Sequence, residues 1–307
     1  MMNLNRRQLL GAAAGVLTAA GCPGLLAAAE PPQRSAGSHL KLSLAGYSFN
    51  RQMVRRGTPE QLAAAEMTLE KFIAFCAKAG IGATELTGYY FPQEITNEYL
   101  LSLRSLTHRE GLAISGTAIG NNFCLAEGDA REQQIQDCLN WIDYAAVLGA
   151  PCIRIFAGTV PKGDTEEVAV ERCAAAINRC LQHAAARGVF LALENHGGIT
   201  ATSERMLQII DQVDDSPWFG VNFDSGNFRT EHPLEDLRRI APYAVNAQVK
   251  ATMTVAGEQQ PTDYSAIVQI LRDAGYRGYV ALEYEERESP YEQIPRILDE
   301  LRPLLDG

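Results

Sequence analysis

The chain has 307 residues, of which 46% are hydrophobic and 21% are charged, and its formal net charge at pH 7 is −10. This composition supplies a sizeable buried core and excludes the disordered and fibrous classes of protein. An acidic surface repels phosphate backbones and anionic lipid, and the sequence has no cluster of Lys and Arg to offset that repulsion. Nucleic acid is therefore not an expected partner.

The first 29 residues are typical of a targeting segment. Residues 5–10 (NRRQLL) resemble a twin-arginine signal, an apolar run covers residues 9–26, and residues 27–29 are small alanines suited to cleavage. Because this segment carries two arginines and no acid, its removal takes the net charge to −12. We predict export to the periplasm by the twin-arginine route and no membrane contact after cleavage. An uncut membrane anchor and lipidation at Cys22 are the alternatives.

Residues 30–39 form a polar linker, and short apolar runs then alternate with amphipathic stretches to the end of the chain. Runs rich in Val, Ile, Leu, Phe and Tyr are typical of strands covered on both faces. They lie at residues 40–49, 83–90, 112–119, 152–157, 189–194, 220–224, 246–251 and 279–284.

The stretches between these runs have apolar residues at three- and four-residue spacing, which indicates amphipathic helices. Residues suited to begin helices are Thr68, Thr202 and Asp263. Residues suited to end them are Gly80, Gly188 and Gly275. About eight strand–helix units predict a single-domain α/β fold, a (β/α)8 TIM barrel over residues 40–307. A doubly wound open sheet is the alternative, but the Gly-rich phosphate loop expected of it is missing from the sequence.

Cysteines give no sign of a disulfide framework or a zinc site. Six of them follow the targeting segment, inside apolar patterns and without a CxxC pair. We predict buried free thiols.

Oxygen-bearing side chains follow four consecutive predicted strands, at the C-terminal strand ends where barrel enzymes bind their substrates. They are Glu194 in ENH, Asp224 in DSGN, Gln248 two residues before Lys250, and Glu283 in EYE. Three carboxylates at one level of a barrel repel each other unless a cation neutralises them, so a divalent metal is the simplest prediction. Each acid alone is also typical of a helix cap or a surface loop, but four adjacent strands with the same feature favour a site.

The order ENH, DxGN, a polar residue two before Lys, and a terminal ExE resembles the xylose isomerase-like barrels of the sugar phosphate isomerase/epimerase superfamily. The resemblance covers the chain after the linker. It implies that Glu194, Asp224 and Glu283 are metal ligands and that Gln248 stands where many members have a ligating His. An all-oxygen ligand set favours Mg²⁺ or Mn²⁺ over Zn²⁺. Weakened or lost metal binding is the alternative that Gln248 raises.

This resemblance implies a metal-dependent sugar isomerase or epimerase, in which Glu194 and Glu283 act as acid and base on a proton next to a carbonyl. Strand alternation places His196 on the face of Glu194 and Lys250 on the face of Gln248. The predicted substrate-binding residues are His196, Lys250, Arg154, Glu85 and Asn121. Each has a structural alternative, such as a buried salt bridge.

Other functions stay open on the sequence alone. A lyase or dehydratase acting on keto-sugars, keto-glycosides or keto-inositols begins with the same proton abstraction, and a non-catalytic carbohydrate-binding barrel is consistent with Gln248. A DNA-repair endonuclease is disfavoured, because only His196 among five histidines is placed to ligate a metal. The predicted partner is a small-molecule sugar or keto-sugar, with homo-oligomer formation left open.

Overall fold

A computed structural model describes residues 28–305 of the chain. The targeting segment predicted over residues 1–29 lies outside the described residues except for Ala28 and Ala29. Among residues 28–305, no helix combines the length and the hydrophobicity needed to cross a membrane.

Eight parallel strands form a barrel within the described residues. They are β1 (His39–Ala45), β2 (Ala83–Thr87), β3 (Ala113–Ala118), β4 (Cys152–Ile155), β5 (Phe190–Glu194), β6 (Phe219–Asp224), β7 (Ala244–Lys250) and β10 (Arg277–Glu283), while β8 (Thr252–Val255) and β9 (Glu258–Pro261) lie outside it. The barrel closes in the order β1-β10-β7-β6-β5-β4-β3-β2. The predicted single-domain (β/α)8 barrel is confirmed. Because all eight strands are parallel, their C-terminal ends meet at one mouth.

Helices lie between the strands and cover the outside of the barrel. They are α1 (Pro59–Ala64), α2 (Leu69–Lys78), α3 (Asn97–Arg109), α4 (Asp129–Leu148), α5 (Glu166–Arg187), α6 (Ser203–Ile210), α7 (Pro233–Ile240), α8 (Tyr264–Asp273) and α9 (Pro290–Leu305). The side chains of Thr68, Thr202 and Asp263 accept backbone N–H groups at the starts of α2, α6 and α8, which confirms the three predicted helix starts.

The first two strands end earlier than the apolar runs predicted. Each run continues as a 3-10 turn that begins at a glycine, Gly46 after β1 and Gly88 after β2. A Cβ at Gly88 would lie 2.5 Å from a ring carbon of Trp141 and 2.7 Å from the Ala118 carbonyl oxygen. The backbone therefore turns where only glycine allows this close approach.

A hairpin after β7 was not predicted. The antiparallel strands β8 (Thr252–Val255) and β9 (Glu258–Pro261) are joined by Ala256 and Gly257, which both have positive φ. Positive φ at both central residues is the geometry of the tight turns that match strand twist. The hairpin extends the chain beyond the barrel mouth on the side of β7.

Ala29 and the segment predicted as a linker pack against the N-terminal end of the barrel. Ala29 donates its backbone N–H to Val213, Arg34 donates to the Ala244 carbonyl, and Ser38 donates to the Tyr276 carbonyl. Ala244 begins β7, Tyr276 directly precedes β10, and Val213 lies in the segment between α6 and β6, so the entering chain covers the end of the barrel opposite the mouth.

Hydrophobic side chains fill the space between strands and helices, but the inside of the barrel is largely polar. All six cysteines among residues 28–305 are buried free thiols, as predicted. Inside the barrel, buried side chains of Ser43, Ser115, Glu85, Asn222 and Asn246 form successive polar layers beneath the mouth. Buried polar groups must be hydrogen-bonded to be tolerated, so this interior ties the strands to one another.

Candidate active site

A cavity of about 750 Å³ opens at the C-terminal mouth of the barrel. A volume of this size accommodates a small organic ligand. Its polar wall includes Arg154, Glu194, His196, Lys250, Glu283 and Glu285, and its aromatic wall is Tyr47, Tyr89 and Phe156. The structure thus brings both predicted acid–base residues and three of the five predicted substrate contacts into one cavity.

Glu194, the last residue of β5, is held by four neighbouring side chains. Arg154 Nε lies 2.9 Å from Oε2, an ion pair whose N–H direction is poorly aligned for a hydrogen bond. Asn222 donates to Oε2 at 3.0 Å, Asn227 donates to Oε1 at 2.9 Å, and His196 Nδ1 lies 2.5 Å from Oε1. These contacts hold the buried carboxylate in one orientation at the cavity wall.

A stack of three side chains supports Glu194 from one side. The guanidinium carbon of Arg154 lies 3.9 Å from the ring centre of Phe156, and the Phe156 ring stacks on the His196 imidazole at a centroid distance of 3.9 Å. Arg154 also donates to the Ile119 carbonyl at 2.7 Å. Arg154 and His196, which both contact Glu194, are therefore fixed relative to each other through Phe156.

Lys250, at the end of β7, is surrounded by carboxylates. Its ammonium nitrogen lies 2.7 Å from Glu285 Oε1, 3.1 Å from Glu283 Oε1 and 3.5 Å from Asp224 Oδ2. The lysine side chain is only 9% exposed. Buried charges are tolerated when opposite charges surround them, and Lys250 serves three acids at once.

Gln248 lies beneath the cavity floor in a chain of buried amides. Its Nε2 donates to Glu85 Oε1 at 2.7 Å and to Glu283 Oε2 at 3.3 Å, and its Oε1 accepts from Asn222 at 2.7 Å. Asn246 donates to Glu85 at 3.1 Å and to Asn222 Oδ1 at 2.7 Å. Because each amide nitrogen faces an oxygen, the hydrogen bonds run in one direction. Asn246 donates to Asn222, Asn222 donates to Gln248, and Gln248 donates to Glu85 and Glu283.

The structure does not bring Glu85 and Asn121 to the cavity wall described within residues 28–305. Glu85 is fully buried below Gln248. Asn121 donates to the Phe156 carbonyl at 2.6 Å and accepts from the Phe156 N–H at 2.9 Å, so both ends of its amide hold the backbone of Phe156. Glu85 thus contacts the buried amides of Gln248 and Asn246 beneath the cavity, and Asn121 holds the backbone of the cavity-lining Phe156.

Several residues of the site escaped the sequence reasoning. Asn222 and Asn246 lie two residues before Asp224 and Gln248, so a search of alternate inward positions would have found them. Phe156 and Glu285 give a weaker signal, because an aromatic residue or an acid after a strand is common.

Burial and neighbouring charges separate the carboxylates electrostatically. Burial raises the pKa of Glu283 well above its usual range, and it raises the pKa of Asp224 to about 7, while Lys250 acts against both changes. Burial would also raise the pKa of Glu194, but Arg154 and His196 outweigh it and leave that pKa below its ordinary value. Near neutral pH, Glu194 is therefore an anion beside a more weakly acidic Glu283.

The four predicted metal ligands do not fit an ion as they are arranged. Among residues 28–305, no group of three or more His, Cys, Asp and Glu side chains is placed to hold a metal. Gln248 directs its nitrogen, a donor, at the carboxylates and uses its oxygen on Asn222. Asp224 and Glu283 face the Lys250 ammonium, which repels a second cation.

Sequence comparison assigns the chain to a family. Residues 73–302 match the family described as xylose isomerase-like TIM barrel. The chain belongs to the xylose isomerase-like TIM barrel family. The resemblance inferred from the ENH, DxGN and ExE motifs is thus confirmed. No curated protein matches the chain by sequence.

Solved structures of this architecture superpose over most of the chain. D-psicose 3-epimerase from Clostridium cellulolyticum H10, solved with D-tagatose, is 16% identical with a TM-score of 0.69 and covers 86% of this chain and 99% of its own. A xylose isomerase domain protein from Planctomyces limnophilus is 18% identical with a TM-score of 0.66, covering 87% and 97%. A xylose isomerase-like TIM barrel protein from Mycobacterium smegmatis, in complex with magnesium, is 19% identical with a TM-score of 0.63, covering 86% and 97%. At these identities the likeness shows the fold.

Proposed function

We propose that this chain is an isomerase or epimerase that moves a proton next to the carbonyl of a sugar or keto-sugar. The observation that carries the proposal is the joint presence of Glu194, Glu283, Arg154 and Lys250 on the wall of one cavity. Family membership and the fold shared with D-psicose 3-epimerase support the same class of reaction.

The two carboxylates divide the roles of base and acid. A pair of titratable groups whose environments separate their pKa values is suited to acid–base catalysis. Glu194, kept anionic by Arg154, removes the proton from the carbon beside the carbonyl. Glu283, whose pKa is raised by burial, returns a proton to the enediolate. Tyr47 and Tyr89 form an aromatic wall against which a sugar ring can stack.

The sequence resemblance predicts a divalent Mg²⁺ or Mn²⁺, and the structurally similar Mycobacterium smegmatis protein is solved in complex with magnesium. Binding it at the predicted ligands requires that Gln248 turn its oxygen away from Asn222 and that the Lys250 ammonium leave Asp224 and Glu283. The proposed proton transfer therefore uses side chains of this chain alone.

Solvent exchange tests the proposal. The protein is incubated in D2O with a panel of aldoses, ketoses and keto-glycosides, and deuterium at the carbon beside the carbonyl is measured by NMR and mass spectrometry. We expect deuterium incorporation together with an epimer or an isomer, and loss of both in Glu194→Gln and Glu283→Gln. Glu132→Gln, which changes an exposed acid on α4, is the matched control.

The same experiment separates the alternatives. Deuterium exchange accompanied by loss of water or of a substituent identifies a lyase or dehydratase. Binding of a sugar without exchange, unchanged in Glu194→Gln, identifies a carbohydrate-binding barrel and refutes the enzyme proposal.

Export is a separate proposal that rests on the sequence of residues 1–29. The NRRQLL motif and the apolar run that follows it support the twin-arginine route. Fractionation of cells that express the full chain tests it: we expect periplasmic protein from the native sequence, and retention in the cytoplasm when Arg6 and Arg7 are both replaced by Lys.

A further inference from the structure

Five acidic side chains converge on the mouth and floor of the barrel, and two buried cations face them. The acids are Glu85, Asp224, Glu194, Glu283 and Glu285, and the cations are Arg154 and Lys250. Carboxylates brought together out of water need positive charge nearby, and the sequence pattern predicts a divalent ion as its source. Within residues 28–305, that charge comes from the chain itself.

Lys250 has the position of a central cation in this cluster. Its ammonium nitrogen is within 3.5 Å of oxygens from Asp224, Glu283 and Glu285, which come from β6, β10 and the loop after β10. An ammonium group has three N–H donors on one compact charge, so it can serve three carboxylates at once.

The fold holds the stem of this lysine in place. Lys250 donates its backbone N–H to Ser225 Oγ at 2.9 Å. A Cβ added at Gly226 would lie 2.9 Å from Lys250 Cδ and 3.1 Å from Lys250 Cβ. The glycine of the DSGN motif thus leaves the space that the lysine stem fills, and the ammonium is directed into the carboxylate cluster rather than to solvent.

Gln248 completes the arrangement from below. Its amide nitrogen donates to Glu283 Oε2, while the Lys250 ammonium contacts Glu283 Oε1. To ligate an ion among these acids, the Gln248 oxygen would have to face Glu85 and Glu283, and its nitrogen would then face the Asn222 amide nitrogen. Two donors would oppose each other there, and carboxylates would face an acceptor.

We propose that the Lys250 ammonium serves this site in place of a divalent metal and that its Nζ–H groups hold the substrate's carbonyl oxygen. This inference rests on the proposed function for its chemistry. The C–H electron pair forms the C=C bond of an enediolate, the proton passes to a carboxylate, and the former carbonyl oxygen takes the negative charge beside Nζ. Return of a proton to carbon restores the carbonyl without any oxidant or reductant. Asp224 Oδ2 has no hydrogen-bond partner, so its 3.5 Å contact with Nζ is an ion pair that leaves an N–H for the substrate oxygen.

Metal binding tests this inference without reference to substrate. Metal content of the purified full chain is measured by mass spectrometry, and Mn²⁺ alone is then titrated and followed by electron paramagnetic resonance. We expect substoichiometric metal and no saturable Mn²⁺ site in the wild type. The double variant Gln248→His/Lys250→Ala should gain one site per chain, with affinity at least about tenfold above any wild-type binding. Lys41→Ala, which removes an exposed lysine of β1, should gain none.

Metal binding by the wild type, or the lack of a site in a folded double variant, would overturn the inference. Wild-type protein that carries one equivalent of a divalent metal, or that binds Mn²⁺ with Lys250 intact, shows that the ammonium does not replace the ion. A double variant that circular dichroism shows to be folded and that gains no site shows that the ammonium is not what keeps an ion out. The wild-type measurement stands even if the double variant fails to fold. Absence of deuterium exchange in the wild type counts against the proposed function and leaves these metal results unchanged.

The substrate role of Lys250 has its own readout. If Nζ holds the substrate oxygen, Lys250→Met should lower kcat and the rate of deuterium exchange by about a hundredfold or more, as loss of one oxyanion donor does elsewhere, and Mg²⁺ or Mn²⁺ should not restore either. Recovery of exchange on addition of metal to the wild type after chelation overturns the inference.

Discussion

The buried ion pair between Arg154 and Glu194 gives the sharpest stability prediction. Both side chains are almost completely buried, with exposures of 5% and 3%. Removing one partner of a buried pair costs about 3–5 kcal/mol, because the other charge is left without compensation. In Arg154→Met, Glu194 keeps three other neighbours, so we expect the lower end, about 3 kcal/mol. For a domain of this size that corresponds to a decrease of roughly 6–12 °C in Tm.

Urea unfolding and a double-mutant cycle measure the effect. Glu194→Gln alone leaves the Arg154 guanidinium buried and unpaired, and we expect a similar loss. In Arg154→Met/Glu194→Gln neither charge remains, so the two losses should not add, with a coupling energy of about 2–3 kcal/mol.

An exposed ion pair of the same type is the matched control. Arg179 and Glu132 pair on the surface between α5 and α4 and are about half exposed. Arg179→Met should cost less than about 1 kcal/mol, because water already screens this pair. Two results would refute the view that Arg154 is the charge that keeps Glu194 anionic. One is an equal loss of unfolding free energy in Arg154→Met and Arg179→Met. The other is a loss in the double variant that equals the sum of the Arg154→Met and Glu194→Gln losses to within about 0.5 kcal/mol.

Three further predictions concern the loop that carries His196 and the helix after it. A Cβ at Gly198 would lie 2.1 Å from the Gly158 carbonyl oxygen, so Gly198→Ala should cost more than about 3 kcal/mol in urea unfolding. The adjacent Gly197 has φ of +84° but open space around it, so Gly197→Ala should cost only about 1 kcal/mol; equal losses would refute the steric argument. Thr202→Ala removes the side chain that accepts the Arg205 N–H at the start of α6 and should lower the unfolding free energy by about 1 kcal/mol, whereas Thr202→Ser should preserve it.

The barrel could be predicted because its signals are local. Apolar runs of strand length, helix-starting residues such as Thr202 and helix-ending glycines such as Gly188 repeat along the chain. The strand ends at Gly46 and Gly88 could not be predicted this way, since the apolar pattern continues where the backbone turns, against Thr87 at Gly46 and against Trp141 at Gly88. The β8–β9 hairpin was missed because β9 is exposed and polar and shows no alternation.

At the site, the sequence identified the acids but not the groups that neutralise them. Arg154 pairs in register with Ala192 on the neighbouring strand, two residues below Glu194, so its inward direction follows from alternation. Alternation does not show which distant side chains a long residue can contact. A lysine at the end of β7 contacts acids on both neighbouring strands only because Gly226 leaves space for its stem.

Gln248 has three partners that no other common side chain matches. Its amide offers donors to Glu85 and Glu283 and an acceptor to Asn222. A neutral imidazole has one N–H and one bare nitrogen, so Gln248→His must leave one buried carboxylate without its donor. We expect a loss of about 1–3 kcal/mol in urea unfolding, the cost of one unsatisfied buried polar group.

The same change on the surface provides the control. Gln182 lies on an exposed face of α5, and Gln182→His should change the unfolding free energy by less than about 0.5 kcal/mol. Stability of Gln248→His equal to the wild type, in the absence of metal, would mean that Glu85 and Glu283 do not depend on the amide. The hydrogen bonds of the buried amides would then contribute little to stability. They would not explain why this chain has Gln248 at a position where a histidine could bind a metal.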